Sequence, residues 1–472
     1  MSHGPQERWV WVDLPAFDVE APDLAVDAWL SPLGFIPDVV ALFLFNPEVV
    51  LGHPGAADPG WTERVLPPDC CAYHAHPYGY NRPRQVWTAG RLRDLATALR
   101  DRGVAPFLSL MELFGEGGPT STTAWTTAHP EVWVTHRNIG PYRSVCHYKR
   151  LADGTWYEDY FADRLRQALL DFGFAGFHQA DGVSHPRLAL WVGDHSDDLI
   201  AQFAEHSGEA LPGALGQPCG GNLEVVRARA DWIWTHRRRA WIDFYADRTT
   251  RFCRKVADAV HAAGGRVLLN GADTRDPFEI LYRYGTDVRR LAEFVDGFIA
   301  ETVAPGCSVG AGSGHDTAAE YNYHAMLLLL KAAARERPVL CLNGVRDVAE
   351  QWDVLRHAPA LMEREATTQA SRFRWTATGQ LERCCHGPMV CLGDGIRPHE
   401  WAWLREWWDR AHAPELRPRT VTLVWSDAAL DTELDGYLQT QRYTTHKLLQ
   451  ELLRHGAPVH AVVRAEHVAA LP

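Results

Sequence analysis

Short apolar runs alternate with longer amphipathic stretches along most of this chain, from Trp9 to about His412. The runs have the length of buried strands, and the stretches between them place apolar residues three or four positions apart, which is the spacing of one helix face. Strands alternating with helices in this way predict a parallel sheet joined by helical crossovers. The eight predicted strands are Trp9 to Asp13, Val39 to Phe45, Pro106 to Met111, a run leading to Asp181, Arg266 to Leu269, a run leading to Glu301, Val339 to Leu342 and Met389 to Leu392.

Eight strand and helix units of this kind predict an α/β fold, a closed (β/α)8 TIM barrel spanning residues 1–413. The predicted helices are Gly90 to Arg102, Trp156 to Phe172, Arg237 to Ala263, Pro277 to Phe294, Thr317 to Arg337 and Pro398 to His412. Two strand-to-helix connections are long, at residues 113–155 and 183–236, whereas the helix-to-strand connections are short. This asymmetry is expected when one face of a barrel binds ligand.

The composition changes after the barrel. Pro414 to Pro418 is typical of a linker, and residues 419–472 begin a strand, helix and strand unit with its helix at Thr445 to Arg454. This small C-terminal α/β segment looks like a partial doubly wound domain, and it is too short to fold alone. We expect it to pack on the barrel or to form a homo-oligomer contact.

The composition is that of a globular protein: the 472 residues are 46% hydrophobic and 22% charged. The formal net charge of -12 argues against nucleic acid as a partner, because phosphate binding requires clustered Lys and Arg. No apolar run approaches the ~20 residues of a membrane helix, and no basic then apolar leader precedes Trp9. The sequence therefore predicts a cytoplasmic protein with no membrane partner, and we expect its ten cysteines to be reduced.

Two of the predicted strands end on a carboxylate, Asp181 and Glu301. Side chains at the carboxyl ends of barrel strands leave the packed interior and meet substrate. A pair of carboxylates in one cleft is what cleavage of a glycosidic bond requires, one as nucleophile or base and the other as proton donor. An acid in such a position also caps helices in many proteins, but two in one chain favour the catalytic hypothesis, which needs no metal or other cofactor.

Other polar residues at or near strand ends predict a ring of groups for binding sugar hydroxyls. These candidates for substrate binding are Asp13, Glu112, His178, Asn270, Asp273, Asn343 and Asp394. Because His178 is three residues before Asp181, regular alternation would place the two side chains on opposite faces of the strand. For His178 a packed structural role is the alternative.

Tryptophan faces stack on the apolar faces of sugar rings, so the 19 tryptophans of this chain bear on its substrate. Trp401 and Trp408 lie on the last barrel helix, where packing explains them better. Trp125 and Trp133 lie in the long loop after the third strand, and we expect substrate contact there. The predicted substrate is a carbohydrate.

Two other functions compete with glycosidase activity. His74 and His76 have the spacing of zinc ligands in some barrel hydrolases, but no further histidines follow at the ends of the fifth and sixth strands. A barrel that binds glycans without cleaving them would keep the aromatic loops and lack a productive acid pair. Neither a Gly-x-Ser-x-Gly elbow nor a phosphate-binding glycine loop accompanies a strand-to-helix turn.

Several segments resemble those of bacterial TIM-barrel glycoside hydrolases, including hydrolase-like proteins related to β-galactosidases that carry a trimerisation domain. The segments are Arg91 to Leu95 with Val104 to Phe107, Phe174 to Gly182, Gln202 to Gly208 with Leu211-Pro212, and Trp232 to Trp241. The tail from Thr420 looks like the start of the amidotransferase-like domain of those enzymes. The resemblance implies a barrel glycosidase.

The catalytic residues of the β-galactosidases do not carry over. Those enzymes have an Asn-Glu pair at the fourth strand and a Glu at the seventh, where this chain has Ala180-Asp181 and Asn343. An acid on the fourth and sixth strands is instead similar to barrel α-galactosidases, and this likeness implies Asp181 as nucleophile and Glu301 as acid/base. The expected reaction is retaining hydrolysis.

Overall fold

The computed structural model describes residues 7–44, 47–67, 85–111, 123–180, 182–184, 188–271, 276–301, 318–347, 352–413 and 421–472, with the backbone alone at 318–320, 347 and 352. The strands are, in chain order, β1 Trp9–Asp13, β2 Val39–Leu44, β3 Ala105–Leu110, β4 Trp133–His136, β5 Gly140–Val145, β6 Gly176–Gln179, β7 Arg266–Asn270, β8 Gly297–Glu301, β9 Val339–Gly344, β10 Arg346–Asp347, β11 Trp352–Asp353, β12 Phe373–Trp375, β13 Leu381–Arg383, β14 Gly387–Cys391, β15 Val421–Trp425 and β16 Val459–Arg464.

Eight of these strands close a parallel barrel, in the order β1-β2-β3-β6-β7-β8-β9-β14 and back to β1. The prediction of a (β/α)8 TIM barrel is confirmed. The α-helices are α1 Val26–Leu30, α2 Glu48–Leu51, α3 Ala89–Asp101, α4 Ala124–Ala128, α5 Tyr157–Phe172, α6 Asp197–Ser207, α7 Leu223–His236, α8 Arg238–Ala262, α9 Pro277–Tyr284, α10 Val288–Leu291, α11 Ala318–Ala333, α12 Val354–His357, α13 Pro359–Ser371, α14 Pro398–Ala411, α15 Asp427–Thr440 and α16 Thr445–Arg454.

Alternate residues of each barrel strand point inward, and the strand register arranges them in layers of four. The layers follow from the pairing of each strand with its neighbours and the stagger of a closed barrel. From the mouth downward, an upper layer holds Phe43, Ala180, Glu301 and Cys391; a middle layer holds Trp11, Ser109, Asn270 and Leu342; and a lower layer holds Ala41, His178, Ile299 and Met389.

Aromatic rings and an ion pair close the amino-terminal end of the barrel. The rings of Trp9 and Phe107 meet edge to face with centroids 4.7 Å apart, and the Arg266 guanidinium lies over both. Arg266 also pairs with Glu7 at 2.9 Å. Ligand access is therefore confined to the opposite end, at the carboxyl ends of the strands.

The long connection after β3 contains α4 and the β4–β5 hairpin, and the connection after β6 contains α6 and α7. The single helix predicted from Pro277 to Phe294 is instead two, because the chain turns at Gly285 with a φ of +63°. A Cβ there would press against Tyr245, so the break needs glycine on two counts.

The C-terminal segment does not form a sheet of its own. Strand β16 pairs in parallel with β15 on one side and with β12 on the other, and the β12–β13 hairpin lies between β9 and β14 in the sequence. Helix α16 packs on barrel helix α11, and Arg464 donates to the carbonyl oxygen of Ala332 at 2.7 Å. The expected packing on the barrel is observed, and α15 is an element that the sequence analysis missed.

Candidate active site

Glu301 ends β8 on the inner face of the barrel, and its side chain is half-buried at the mouth. Asn270 ends β7 in the layer below, is fully buried, and donates from Nδ2 to Glu301 Oε2 at 2.5 Å. A buried amide that holds one carboxylate oxygen fixes the direction of the other. The structure thus brings together two of the residues predicted from the sequence.

Two further predicted residues lie at the mouth beyond β9, on the side away from β7. Asp13 ends β1 on its inner face, and Asp394 follows β14; both are half-buried. The loop after β14 runs over the end of β1, since the Gly393 amide donates to the carbonyl oxygen of Trp11 at 2.8 Å. Asp394 also lines a cavity of about 660 Å³ between this loop and the one after β1.

His178 points into the barrel, two layers below Glu301, and is completely buried. Its Nδ1 lies 3.0 Å from Ser109 Oγ, and its ring meets Trp11 edge to face with centroids 4.8 Å apart. Burial lowers the pKa of His178 to about 3, so the imidazole is neutral near pH 7. His178 is unsuited to acid catalysis but suited to hydrogen bonding.

The placement of Asn343 among the converging residues is wrong. Asn343 lies at an outward-facing position of β9, where Nδ2 donates to Glu365 Oε2 at 2.8 Å and Oδ1 accepts from Trp408 Nε1 at 3.3 Å. It is buried between the barrel wall and helices α13 and α14. Near strand ends the sequence shows a polar residue but not which face it occupies, and a shift of one residue moves the side chain to the other face.

The two loop tryptophans make their contacts within the protein. Trp125 is stacked with Tyr160 and His129, and its Nε1 donates to Tyr160 Oη at 3.1 Å. Trp133 donates from Nε1 to the carbonyl oxygen of Thr126 at 2.7 Å. These contacts explain both residues by packing, so they lend no support to the expected sugar stacking.

Three of the predicted site residues, Asp181, Glu112 and Asp273, lie outside the described residues. The same is true of His74 and His76, on which the metal alternative depended. Within the described ranges, no cluster of three or more His, Cys, Asp or Glu side chains is arranged to hold a metal ion. No helix of the described part is long and apolar enough to cross a membrane.

A small apolar cavity of about 40 Å³ adjoins Asn270 and Glu301 between β7, β8 and the helices outside them. Asp276 lies in its wall, and burial raises the pKa of this carboxyl group to about 7. Asp276 accepts from the backbone amides of Phe278 and Glu279 at 2.7 and 3.2 Å. It therefore caps helix α9.

Sequence reasoning missed Trp11 and Ser109, which share the middle layer with Asn270. The signal for Trp11 was present, because in Trp9 to Asp13 every second residue lies on the face that ends in Asp13. The sequence analysis gave Trp11 no role, because a strand pattern places the ring on a face but does not place its indole nitrogen.

No family model matches the sequence, and no curated protein matches it. Several solved structures are similar to this chain. A GH5_18 protein from Streptomyces cattleya, in complex with GlcNAc, superposes with a TM-score of 0.53 at 15% identity over 98% of this chain and 96% of that one. A single-residue variant of the GH5_18 protein from the same organism, in complex with Manb1-4GlcNAc, superposes with a TM-score of 0.51 at 16% identity over 98% of this chain and 97% of that one. A beta-galactosidase from the psychrophilic Marinomonas ef1 superposes with a TM-score of 0.53 at 14% identity over 97% of this chain and 70% of that one.

These likenesses extend over nearly the whole chain at low identity, so they establish the fold. The chain has the (β/α)8 barrel fold that the resemblance implied. The chemistry has to be argued from the site.

Proposed function

We propose that this protein is a glycoside hydrolase in which Glu301 is the acid/base and Asp181 the nucleophile. The observation that carries the proposal is the Glu301 carboxylate on the inner face at the barrel mouth, held by buried Asn270. Binding and catalytic groups of TIM-barrel enzymes collect at this end. The fold shared with glycoside hydrolases supports the same reaction class.

The candidacy of Asp181 rests on sequence position. Strand β6 ends at Gln179, and Ala180 still faces the barrel interior in the upper layer with Glu301. Asp181 follows Ala180 directly in the sequence, and β7 alone separates β6 from β8 in the barrel.

In the proposed reaction the Asp181 carboxylate attacks the anomeric carbon while Glu301 protonates the departing oxygen. Glu301 then takes a proton from water, which attacks the glycosyl-enzyme ester and releases Asp181. A retaining pathway requires carboxyl groups about 5 to 5.5 Å apart, and an inverting one about 6.5 to 9.5 Å. The pathway uses no metal or cofactor.

The test is hydrolysis of a panel of α- and β-aryl glycosides by wild type, Asp181→Asn and Glu301→Gln. Glu293→Gln is the matched control, because Glu293 is exposed on the outer surface beside Arg254, 3.6 Å away. We expect both site variants to lose at least 100-fold in kcat while melting like wild type, and the control to keep full activity.

Full activity in folded Glu301→Gln would refute the assignment of the acid/base. Activity retained in folded Asp181→Asn would refute the assignment of Asp181 as nucleophile and leave the assignment of Glu301 in place. No hydrolysis by wild type across the panel would contradict the proposal in favour of a glycan-binding barrel. For an active enzyme, NMR of the first-formed anomer separates retention, which we expect, from inversion.

A further inference from the structure

Two ring nitrogens inside the barrel have no hydrogen-bond partner among the residues that the structure describes: Trp11 Nε1 and His178 Nε2. Trp11 is 4% exposed and His178 is fully buried. A buried polar group left without a partner costs about 1 to 3 kcal/mol. Two such groups lie in contacting side chains directly below the layer that contains Glu301. Their unpaired nitrogens are therefore candidates for binding a ligand.

The rest of each side chain is held firmly in place. Ser109 holds the other nitrogen of His178 at 3.0 Å. The Trp11 ring packs against Phe43 with centroids 4.3 Å apart and against His178 at 4.8 Å. The two nitrogens are therefore fixed in position before any ligand arrives, which lowers the entropic cost of binding one.

The two nitrogens together match one chemical group. An indole N–H only donates, whereas the Nε2 of a neutral imidazole accepts when Nδ1 carries the proton. One group that accepts from the first and donates to the second is a hydroxyl. The lowered pKa of His178 means that its imidazole carries no positive charge that would favour a carboxylate or phosphate instead.

We propose that Trp11 Nε1 and His178 Nε2 bind one hydroxyl group of a sugar that enters the barrel mouth end-on. Trp11 shares the middle layer with Asn270, so the hydroxyl lies on the floor of the site directly beneath Glu301. The floor is closed below by Ile299 and Met389 and then by Trp9 and Phe107. A sugar that reaches it has no room to continue as a chain, which makes the substrate residue a terminal one and cleavage exo.

This inference rests on the proposed function, and a binding experiment separates the two. Glu301→Gln, which is expected not to hydrolyse, is titrated by calorimetry with a panel of neutral monosaccharides and their monodeoxy forms. We expect one sugar to bind and one of its deoxy forms to bind about tenfold more weakly, because a single hydrogen bond is lost.

Adding Trp11→Phe to that variant should lower the affinity for the parent sugar about tenfold and leave the already weak affinity for the deoxy form unchanged. Trp9→Phe is the matched control, because Trp9 lies on the same face of the same strand and its Nε1 donates to Glu7 at 2.8 Å. His178→Gln, which keeps a hydrogen-bond acceptor in its amide oxygen, is expected to weaken binding less than His178→Leu.

Equal affinity for the parent sugar in the Trp11→Phe and Trp9→Phe variants overturns the inference, and so does a panel in which no sugar binds. If a variant fails to melt cooperatively, the test uses the Glu301→Gln protein alone and compares its affinities for the parent sugar and the deoxy forms. There, indifference to every single hydroxyl also overturns it. Hydrolysis is measured separately, so sugar binding without hydrolysis would reject the proposed enzyme and keep the binding floor.

Discussion

Two asparagines near the ends of barrel strands β7 and β9 differ in the face they occupy. Asn270 points inward and holds Glu301, whereas Asn343 points outward and holds Glu365. Their residue type and place along the strand are alike, and alternation of side chains alone separates them. Substitution of each therefore tests the same chemistry in two settings.

We predict that Asn270→Ala lowers kcat/KM about 10- to 100-fold with a small change in stability, because Glu301 loses the donor that orients it. Asn343→Ala should lower the free energy of unfolding by roughly 2 to 4 kcal/mol, because buried Glu365 and Trp408 lose partners, and should leave kcat per folded molecule unchanged. Urea unfolding and aryl glycoside kinetics check both. Equal losses of activity in the two variants would contradict the assignment of their faces.

Burial raises the pKa of Glu365 to about 8, and this shift has a definite sign in stability. The unfolded chain ionises Glu365 near pH 4.5 while the folded protein keeps it protonated, so raising the pH from about 4.5 to 8 favours unfolding. Glu365→Gln removes this effect.

We expect the free energy of unfolding of the Glu365→Gln variant to exceed that of wild type increasingly from pH 5 to pH 8, by up to a few kcal/mol. Urea titrations at these two values measure the change. If the free energies of unfolding of the two proteins differed by the same amount from pH 5 to pH 8, Glu365 would ionise alike in the folded and unfolded states.

At the scale of elements, the sequence located all eight barrel strands to within one or two residues. β3 runs from Ala105 to Leu110 and β14 from Gly387 to Cys391, each one or two residues ahead of its predicted span. Uninterrupted apolar runs mark buried strands clearly. They carry no alternation, however, and so the sequence did not distinguish the inward Asn270 from the outward Asn343.

Helix α15 was missed for a related reason. Only Leu430 and Leu434 of its residues are buried, so the apolar stripe that identifies a helix is narrow. The pairing of β16 with β12 could not be predicted either, because the paired residues are about 90 positions apart and leave no local pattern in a single sequence.

Gly176 begins β6 on the inner face of the barrel, where space is short. A Cβ at this position would overlap the Phe107 ring and the carbonyl oxygen of Arg266. We predict that Gly176→Ala lowers the free energy of unfolding by roughly 3 kcal/mol or more, measured by chemical denaturation.

Gly436→Ala is the control for Gly176→Ala, because Gly436 lies inside α15 with open space around it. Alanine should stabilise that helix by about 0.5 to 1 kcal/mol. If both substitutions shifted stability the same way, close packing at the barrel base would not be the cause.

At the scale of the whole molecule, the segment after the barrel packs against the barrel helices and shares a four-stranded sheet with the β12–β13 hairpin. Leu449 and Leu453 of α16 are buried against the barrel helices, and Arg289 of α10 binds Asp431 of α15 at 3.0 Å. The predicted boundary near residue 418 separates two stretches of sequence that share one sheet.

We expect a chain ending at residue 413 to be insoluble or to aggregate, because it exposes the edge of β12 and the apolar face of α11. The full chain should unfold in a single transition by both circular dichroism and tryptophan fluorescence. A soluble truncated chain that melts cooperatively would show that the barrel folds without the segment.

The shared sheet also constrains how the protein is made. The β12–β13 hairpin leaves the ribosome before β14 completes the barrel, yet its partner strand β16 lies about 80 residues later. At about 5 to 20 residues per second, the hairpin waits roughly 4 to 16 s with one edge open. A chaperone that binds nascent chains would find its target in this hairpin, and slower translation of the residues between β13 and β16 would lengthen that exposure.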